Sequence, residues 1–149
     1  MAYKNLNAFK KRLSKRLAQN PKSNVKKAVA KSTMVVREEA IYSILGGNKS
    51  GRTYVKYNPR RTHTASAAGQ APASDTGTLA SGITTAVEVE RNAVVGKIIA
   101  YASDGGSDNY AKHLEFGTTN MAARPFMQPA LNNKSDKIIS IFRKEGLID

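Results

Sequence analysis

Ile83-Thr84-Thr85-Ala86-Val87-Glu88-Val89-Glu90, followed after Arg91-Asn92-Ala93 by Val94-Val95-Gly96-Lys97-Ile98-Ile99-Ala100-Tyr101, decides the fold. Side chains along a strand point alternately to opposite faces. Ile83, Thr85, Val87 and Val89 therefore share one face, and Glu88 and Glu90 share the other. That pattern predicts a half-buried antiparallel strand. Arg91-Asn92 suits a tight turn, because Asn tolerates positive φ. The returning run is apolar on both faces, which predicts that something covers each of them.

Working upstream, Asp75 is expected to cap a short helix with Leu79 and Ile83 four apart on its inner face. Residues 58–74 show no periodicity. A loop of that length is normally functional, or disordered in isolation. Tyr54 to Tyr57 reads as a short strand. Val25, Val29, Ser32, Val36, Ala40 and Ile44 line one face of a helix that starts near Ser23 or Asn24 and ends at Gly46-Gly47. Before it, Asn20-Pro21 interrupts an earlier helix whose apolar stripe is Leu6, Phe9, Leu13 and Leu17.

Downstream, a glycine-rich loop over 103–107 leads to Asp108, expected to cap a helix holding Tyr110 and Leu114 and closed by Gly117. Pro129 suits a first helical turn, and Leu131, Ile138, Ile141 and Phe142 form the apolar face of a last helix. Arg143 and Lys144 complement its negative end before Gly146 stops it. The order predicts an α+β fold: a small antiparallel β-sheet packed by N-terminal and C-terminal helices, with a long loop between the first strand and a short helix. Residues 1–149 are expected to form a single domain, with a basic helical region over 1–45 and the C-terminal helix over 129–146.

Composition limits the chemistry. The 149 residues contain no cysteine, which excludes disulfides, thiolate zinc sites and cysteine nucleophiles. No apolar run approaches the roughly 18 residues of a membrane span, so a product made in the cytosol with no membrane partner is expected. Net charge is +13, and it is concentrated. Residues 1–37 carry eleven Lys or Arg and no acid, whereas the rest of the chain is nearly balanced. Lys10, Lys11, Arg12, Lys15, Arg16, Lys22, Lys26, Lys27 and Lys31 supply most of it. These residues form either a solvated helix face or a surface that meets DNA or an acidic partner.

His63, Ser66 and Asp75 do not make a nucleophile, base and orienter, since nothing places them on the sharp elbow that such a trio needs. Two histidines 50 residues apart make a poor metal site. Lys49-Ser50 after Gly46-Gly47 lacks the phosphate-loop spacing and follows a helix where a strand is required. No cofactor is expected, and the chain reads as non-enzymatic.

The most specific motifs lie near the C-terminal end: Glu115-Phe116-Gly117-Thr118, preceded by Tyr110, and Ala123-Arg124-Pro125-Phe126. Together with Gly51-Arg52-Thr53-Tyr54, His63-Thr64-Ala65-Ser66 and Asp75-Thr76-Gly77-Thr78-Leu79, in that order, they resemble the tail-completion (minor tail, or neck) proteins of tailed bacteriophages. The resemblance covers 51–131. The family usually carries a proline and an acidic residue in the Ala67–Gln70 segment, and this chain has neither.

The resemblance implies a structural virion protein: a neck subunit that assembles in the host cytoplasm into a homo-oligomeric ring, six-fold, joining tail to head. Its implied partners are head-closure and tail-terminator subunits, with genomic DNA in the lumen. Within the motifs, Glu115 and Arg124 bracket the Gly117 turn and are expected to form an ion pair, with Phe116 and Phe126 as apolar anchors. Scaffold and subunit contact are both open for this cluster. The alternative for the whole chain is a basic nucleic-acid-binding module acting through the N-terminal helices. Against it, the first 40 residues interleave only Tyr3 and Phe9 with the charges.

Overall fold

The computed structural model describes residues 6–17, 22–103, 105 and 109–148, and for 6, 7, 9, 13, 16 and 17 only their place in a helix. The Asn20-Pro21 interruption, the Asp108 cap and the side chains of the Leu6, Phe9, Leu13 and Leu17 stripe lie outside the described residues. The elements are α1 (Leu6–Leu17), α2 (Lys22–Leu45), β1 (Thr53–Lys56), β2 (Arg61–Thr64), α3 (Thr78–Ser81), β3 (Ile83–Val89), β4 (Val94–Ala100), α4 (Tyr110–Phe116), α5 (Met127–Asn133) and α6 (Ser135–Lys144). This is an α+β fold with two antiparallel hairpins, β1–β2 and β3–β4.

Helix α2 organises the molecule. Its described residues run from Lys22, ahead of the expected start, and it packs against β3, β4, α3, α5 and α6. Of the expected face Val25, Ser32, Val36, Ala40 and Ile44 are buried and Val29 is half-buried; Ala28 and Thr33 join them. Two apolar clusters are strung along it. One gathers Val36, Ala40, Ile44, Leu79, Ile83, Ala111 and Phe126; the other gathers Val25, Ala28, Ile141, Phe142, Leu147 and Ile148. The buried hydroxyls cost little, because Ser32 and Thr33 donate to the Ala28 and Ala30 carbonyls at 2.8 Å each. Gly47 (φ +79°) ends the helix in the left-handed region.

Strands β3 and β4 pair in full register from Ile83↔Ala100 to Val89↔Val94, around the expected Arg91-Asn92 turn. Their inner face rests on α2. A Cβ on Gly96 would lie 2.4 Å from Thr33 Cγ2, so only glycine admits the helix here. The outer face departs from expectation. Ile99 and Tyr101 are half exposed, and among the described residues no element packs over them. The apolar sequence of β4 predicts two covered faces, and the described residues cover only one over Ile99 and Tyr101.

Three local expectations change. The segment 58–74 is not one loop, because Arg61–Thr64 pairs with β1 from Thr53↔Thr64 to Lys56↔Arg61. The remaining loop follows a path held by backbone bonds and by the Gln70 side chain. Gly51 donates to Ala65 O at 2.9 Å, Gly69 donates to Ala123 O at 2.9 Å, and the Gln70 Oε1 accepts from Ala67 and Ser50. Ile83 sits in β3, not in the short helix. The last helix is two pieces with a break at Lys134, which leaves Leu131 half exposed, while Pro129 lies in the first turn of α5 as expected. The stop of α6 follows expectation: Gly146 N–H donates to Arg143 O and Leu147 N–H to Phe142 O, a Schellman closure with Leu147 buried beneath it.

Candidate interaction site

The Glu115 and Arg124 motifs meet where α4 turns into α5, and Arg124 links that turn to Ser66 beyond β2. Asn109 caps α4, accepting from the Ala111 N–H at 3.2 Å and the Ala102 N–H at 3.0 Å while its amide donates to Ala100 O. Tyr110, half-buried, opens the helix and donates its N–H to Ala102 O at 3.0 Å. Gly117 closes it at φ +76°, ψ 179°, a conformation that essentially only glycine adopts. A Cβ there would also lie 2.8 Å from the Met121 carbonyl. Thr118 and Met121 then bond reciprocally through their backbones at 2.8 and 3.3 Å, making the turn that returns the chain towards α5.

The expected Glu115–Arg124 ion pair is not formed. Instead, Glu115 Oε2 accepts from the N–H groups of Phe126 (2.8 Å) and Met127 (3.0 Å), and Oε1 accepts from that of Gln128 (3.0 Å). The first turn of a helix leaves its N–H groups without partners, and α5 has no side-chain cap of its own. Glu115 supplies that cap from another helix, with its negative charge at the positive end of α5. Arg124 turns the other way: its N–H donates to Leu114 O at 2.7 Å, and its Nε donates to the Ser66 carbonyl at 3.3 Å. The pair is a pair in function only. One residue fixes α5, the other fixes the loop that follows β2, and both start from the same turn. Sequence spacing indicates that they belong together, but not that each has a backbone partner.

The two phenylalanines also separate. Phe126 is buried in the main core, whereas Phe116 is 77 % exposed and so is not a core anchor. It stands at the mouth of an apolar groove of about 570 Å³, with Pro125, Met127, Leu131 and Ile98 along its walls. Side chains of this kind left in water on a compact domain mark a contact surface.

Asp75 does not cap α3. Gly77, at φ +81°, occupies the cap position without a side-chain bond, and Leu79 carries the short helix into the core. Asp75 instead ties down the first hairpin through an ion pair with Lys56 and a 2.7 Å contact between its Oδ1 and Arg61 Nη2. That contact is electrostatic, since Oδ1 receives no well-aligned hydrogen bond. The Lys56 hydrogen bond, helped by Arg61, holds the carboxyl below its ordinary range. His63 Nδ1 stands 4.0 Å from the same carboxylate, and no hydrogen bond joins His63 to Ser66 among the described residues. Lys49 follows a helix, not a strand, and its ammonium donates to the Ser43 and Ala71 carbonyls at 2.7 and 3.0 Å; desolvation pushes its pKa down. Among the described residues no group of three or more His, Asp or Glu is placed to hold a metal, and no helix is long and apolar enough to cross a membrane.

Of the basic residues, Lys10, Lys11, Arg12, Lys15, Lys22, Lys26, Lys27 and Lys31 are exposed, and the Arg16 side chain lies outside the described residues. Two of them have intramolecular partners. Lys31 pairs with Glu145, and Lys22 Nζ reaches the Arg91 carbonyl at 3.3 Å. The Lys31 hydrogen bond holds the Glu145 carboxyl below its usual range.

No protein-family model, curated protein or solved structure matches the chain.

Proposed function

We propose that the chain is a structural virion protein of a tailed bacteriophage: a tail-completion, or neck, subunit that assembles into a ring between head and tail and performs no catalysis. The observation that carries this reading is the division of labour in the Glu115–Phe126 motif. Glu115 and Arg124 are engaged in holding α4, α5 and the loop after β2, while Phe116 points away from the core beside an apolar groove. A catalytic cluster needs polar groups free to meet a substrate. A rigid turn that presents one aromatic ring is suited to docking against a neighbour.

In this reading the groove around Phe116 and Leu131 contacts another copy or an adjoining neck protein, such as a head-closure or tail-terminator subunit. The lysine-rich face of α1 and the first turns of α2 meets DNA in the lumen or an acidic partner. The test is made in the phage that encodes the chain. Disrupting its gene should leave filled heads and finished tails that fail to join, and the purified wild-type particle should contain the protein in a small number of copies. Normal joining without the gene, or a particle lacking the protein, refutes the proposal. A cellular protein that instead binds duplex DNA with a steep salt dependence is the result expected of a nucleic-acid-binding module.

A further inference from the structure

The β3–β4 hairpin has two outer edges, and both are closed at one end and open at the other. Tyr101 N–H donates across the hairpin to Gly82 O. In an antiparallel ladder successive residues point their N–H and C=O groups to alternate sides. The odd-numbered residues of β4 therefore face β3, and Val94, Gly96 and Ile98 face outward. By the same parity Thr85, Val87 and Val89 face outward from β3.

At the base of the hairpin these edges are plugged. Arg37 Nε donates to Ile83 O at 2.6 Å on the β3 side, and the Asn109 amide takes both Ala100 O and the Ala102 N–H on the β4 side. Towards the tip, the backbone groups of Thr85, Val87, Val89, Val94, Gly96 and Ile98 have no hydrogen-bond partner off the hairpin among the described residues. Neither open stretch carries a proline, a bulge or an inward-pointing charge, the devices that normally blunt an edge.

The geometry points to head-to-tail strand addition between copies of this chain, the open edge of β3 in one copy pairing antiparallel with the open edge of β4 in the next. Three observations favour this occupant. The two edges are of equal length and lie at the same end of the hairpin, so each new copy presents the same pair of edges as the last. The outer face, with the half-exposed Ile99 and Tyr101, becomes part of a continuous sheet. Charge selects the order: β3 carries Glu88, with Glu90 just beyond it, whereas β4 carries Lys97, which already pairs with Glu88 of its own copy at 2.6 Å. A β4–β3 junction places Lys97 beside another acidic strand. A β4–β4 junction sets lysine against lysine, and β3–β3 sets glutamate against glutamate. Inner-facing residues must pair with inner-facing ones, since a slip of one residue exposes the α2-facing side.

This rests on the ring reading only for closure of the array, and the experiment separates the two. Val87→Pro removes an outward N–H from β3, and Val94→Pro removes one from β4; neither N–H is used within the subunit. Each variant, once circular dichroism and a thermal melt show it folded, should be monomeric by light scattering at concentrations where the wild type assembles. An equimolar mixture should form heterodimers and nothing larger, because only one good edge remains on each partner. Hydrogen exchange on the wild type supplies the arm that needs no variant: the amides of Thr85, Val87, Val89, Val94, Gly96 and Ile98 should slow by at least about tenfold on assembly. Four results overturn the inference: a wild type that stays monomeric, variants that assemble normally, a mixture that builds long arrays, or edge amides that exchange equally fast in both states. If those amides remain unprotected in a purified particle that contains the protein, the edge contact fails and the neck reading stands. If an edge-paired assembly forms but particles lack the protein, the edge contact stands and the neck reading fails.

Discussion

Replacing Glu115 tests whether a side chain on one helix really caps the next. The carboxylate accepts three N–H groups; those of Phe126 and Met127 are partly buried, and that of Gln128 is exposed. In Glu115→Ala the Gln128 N–H regains water at little cost, so the loss comes from the other two. Removing a helix cap costs about 0.5–2 kcal/mol, and leaving a buried donor unpaired costs about 1–3 kcal/mol before partial rehydration. Together these place Glu115→Ala at about 2–3 kcal/mol, a large part of a typical stability of about 5–15 kcal/mol. Glu115→Gln keeps one accepting oxygen for Phe126 and Met127 but turns an NH2 towards Gln128, and should cost about 1 kcal/mol. Urea titration at neutral pH measures both. A loss below about 0.5 kcal/mol in the alanine variant refutes the cap. The same experiment addresses Arg124. A direct ion pair predicts that Glu115→Ala and Arg124→Ala together hurt less than their sum, whereas separate backbone partners predict additivity within about 0.5 kcal/mol.

Phe116→Ala should leave stability within about 0.5 kcal/mol of wild type, as for other exposed positions, yet impair subunit association or head–tail joining; a large drop in the urea midpoint counts against its exposure. For Asp75, whose folded pKa is depressed by Lys56 and Arg61, the stabilisation is complete above the ordinary carboxylate pKa and lost as pH falls through the lowered folded value. The difference in urea midpoint between wild type and Asp75→Asn should therefore persist at neutral pH and vanish only in strong acid; a difference that disappears near the ordinary carboxylate pKa contradicts the ion pairs. Replacing Lys10, Lys11, Arg12, Lys15 and Arg16 with Gln keeps helix propensity nearly unchanged and should reduce infectious yield and weaken the salt dependence of association; normal joining with unchanged salt sensitivity marks these residues as a solvated face.

The sequence is most legible where burial is periodic. Val25 to Ile44 and the alternation from Ile83 to Val87 each bury or half-bury one face, while Val89 at the hairpin tip is exposed, and α2 and β3 lie close to where that pattern puts them. It is least legible where backbone bonds do the ordering. Arg61-Thr62-His63-Thr64 has no apolar alternation, and it becomes a strand because its ladder to β1 and the Asp75 carboxylate hold it; the β-branched threonines are the available signal. Asp75 reads as a cap because a carboxylate shortly before a short helix is the usual pattern, but Gly77 at positive φ takes that position. Charge and spacing around Gly117 link Glu115 to Arg124, and charge invites an ion-pair reading. Their true partners are main-chain groups, which a sequence does not display. Phe116 reads as an anchor because it is aromatic, and side-chain type alone does not say which of two phenylalanines turns outward.

The acids that could neutralise the basic helices are mostly engaged elsewhere. Asp75 serves the first hairpin, Glu88 pairs with Lys97, Glu39 with Lys134 and Asn133, and Glu115 caps α5. Among the described residues Glu145 reaches back to α2, through Lys31. Among the described residues Glu38, Glu90 and Asp136 have no ion-pair partner, and Glu90 sits at the hairpin tip next to the proposed junction with the following copy. A chain with +13 net charge whose described carboxylates largely hold loops and edges leaves most of the lysines of α1 and the first turns of α2 without an ion-pair partner among the described residues. Bringing several copies together in a ring multiplies that repulsion, since like charges within roughly 10 Å are only partly screened at moderate salt. Head-to-tail edge pairing adds one Lys97–acid neighbour per junction, too little to offset eleven basic groups per copy. On the proposed ring reading the remaining counter-charge comes from a different molecule, so the assembly should tighten when DNA or an acidic partner is present and loosen steeply as salt is raised.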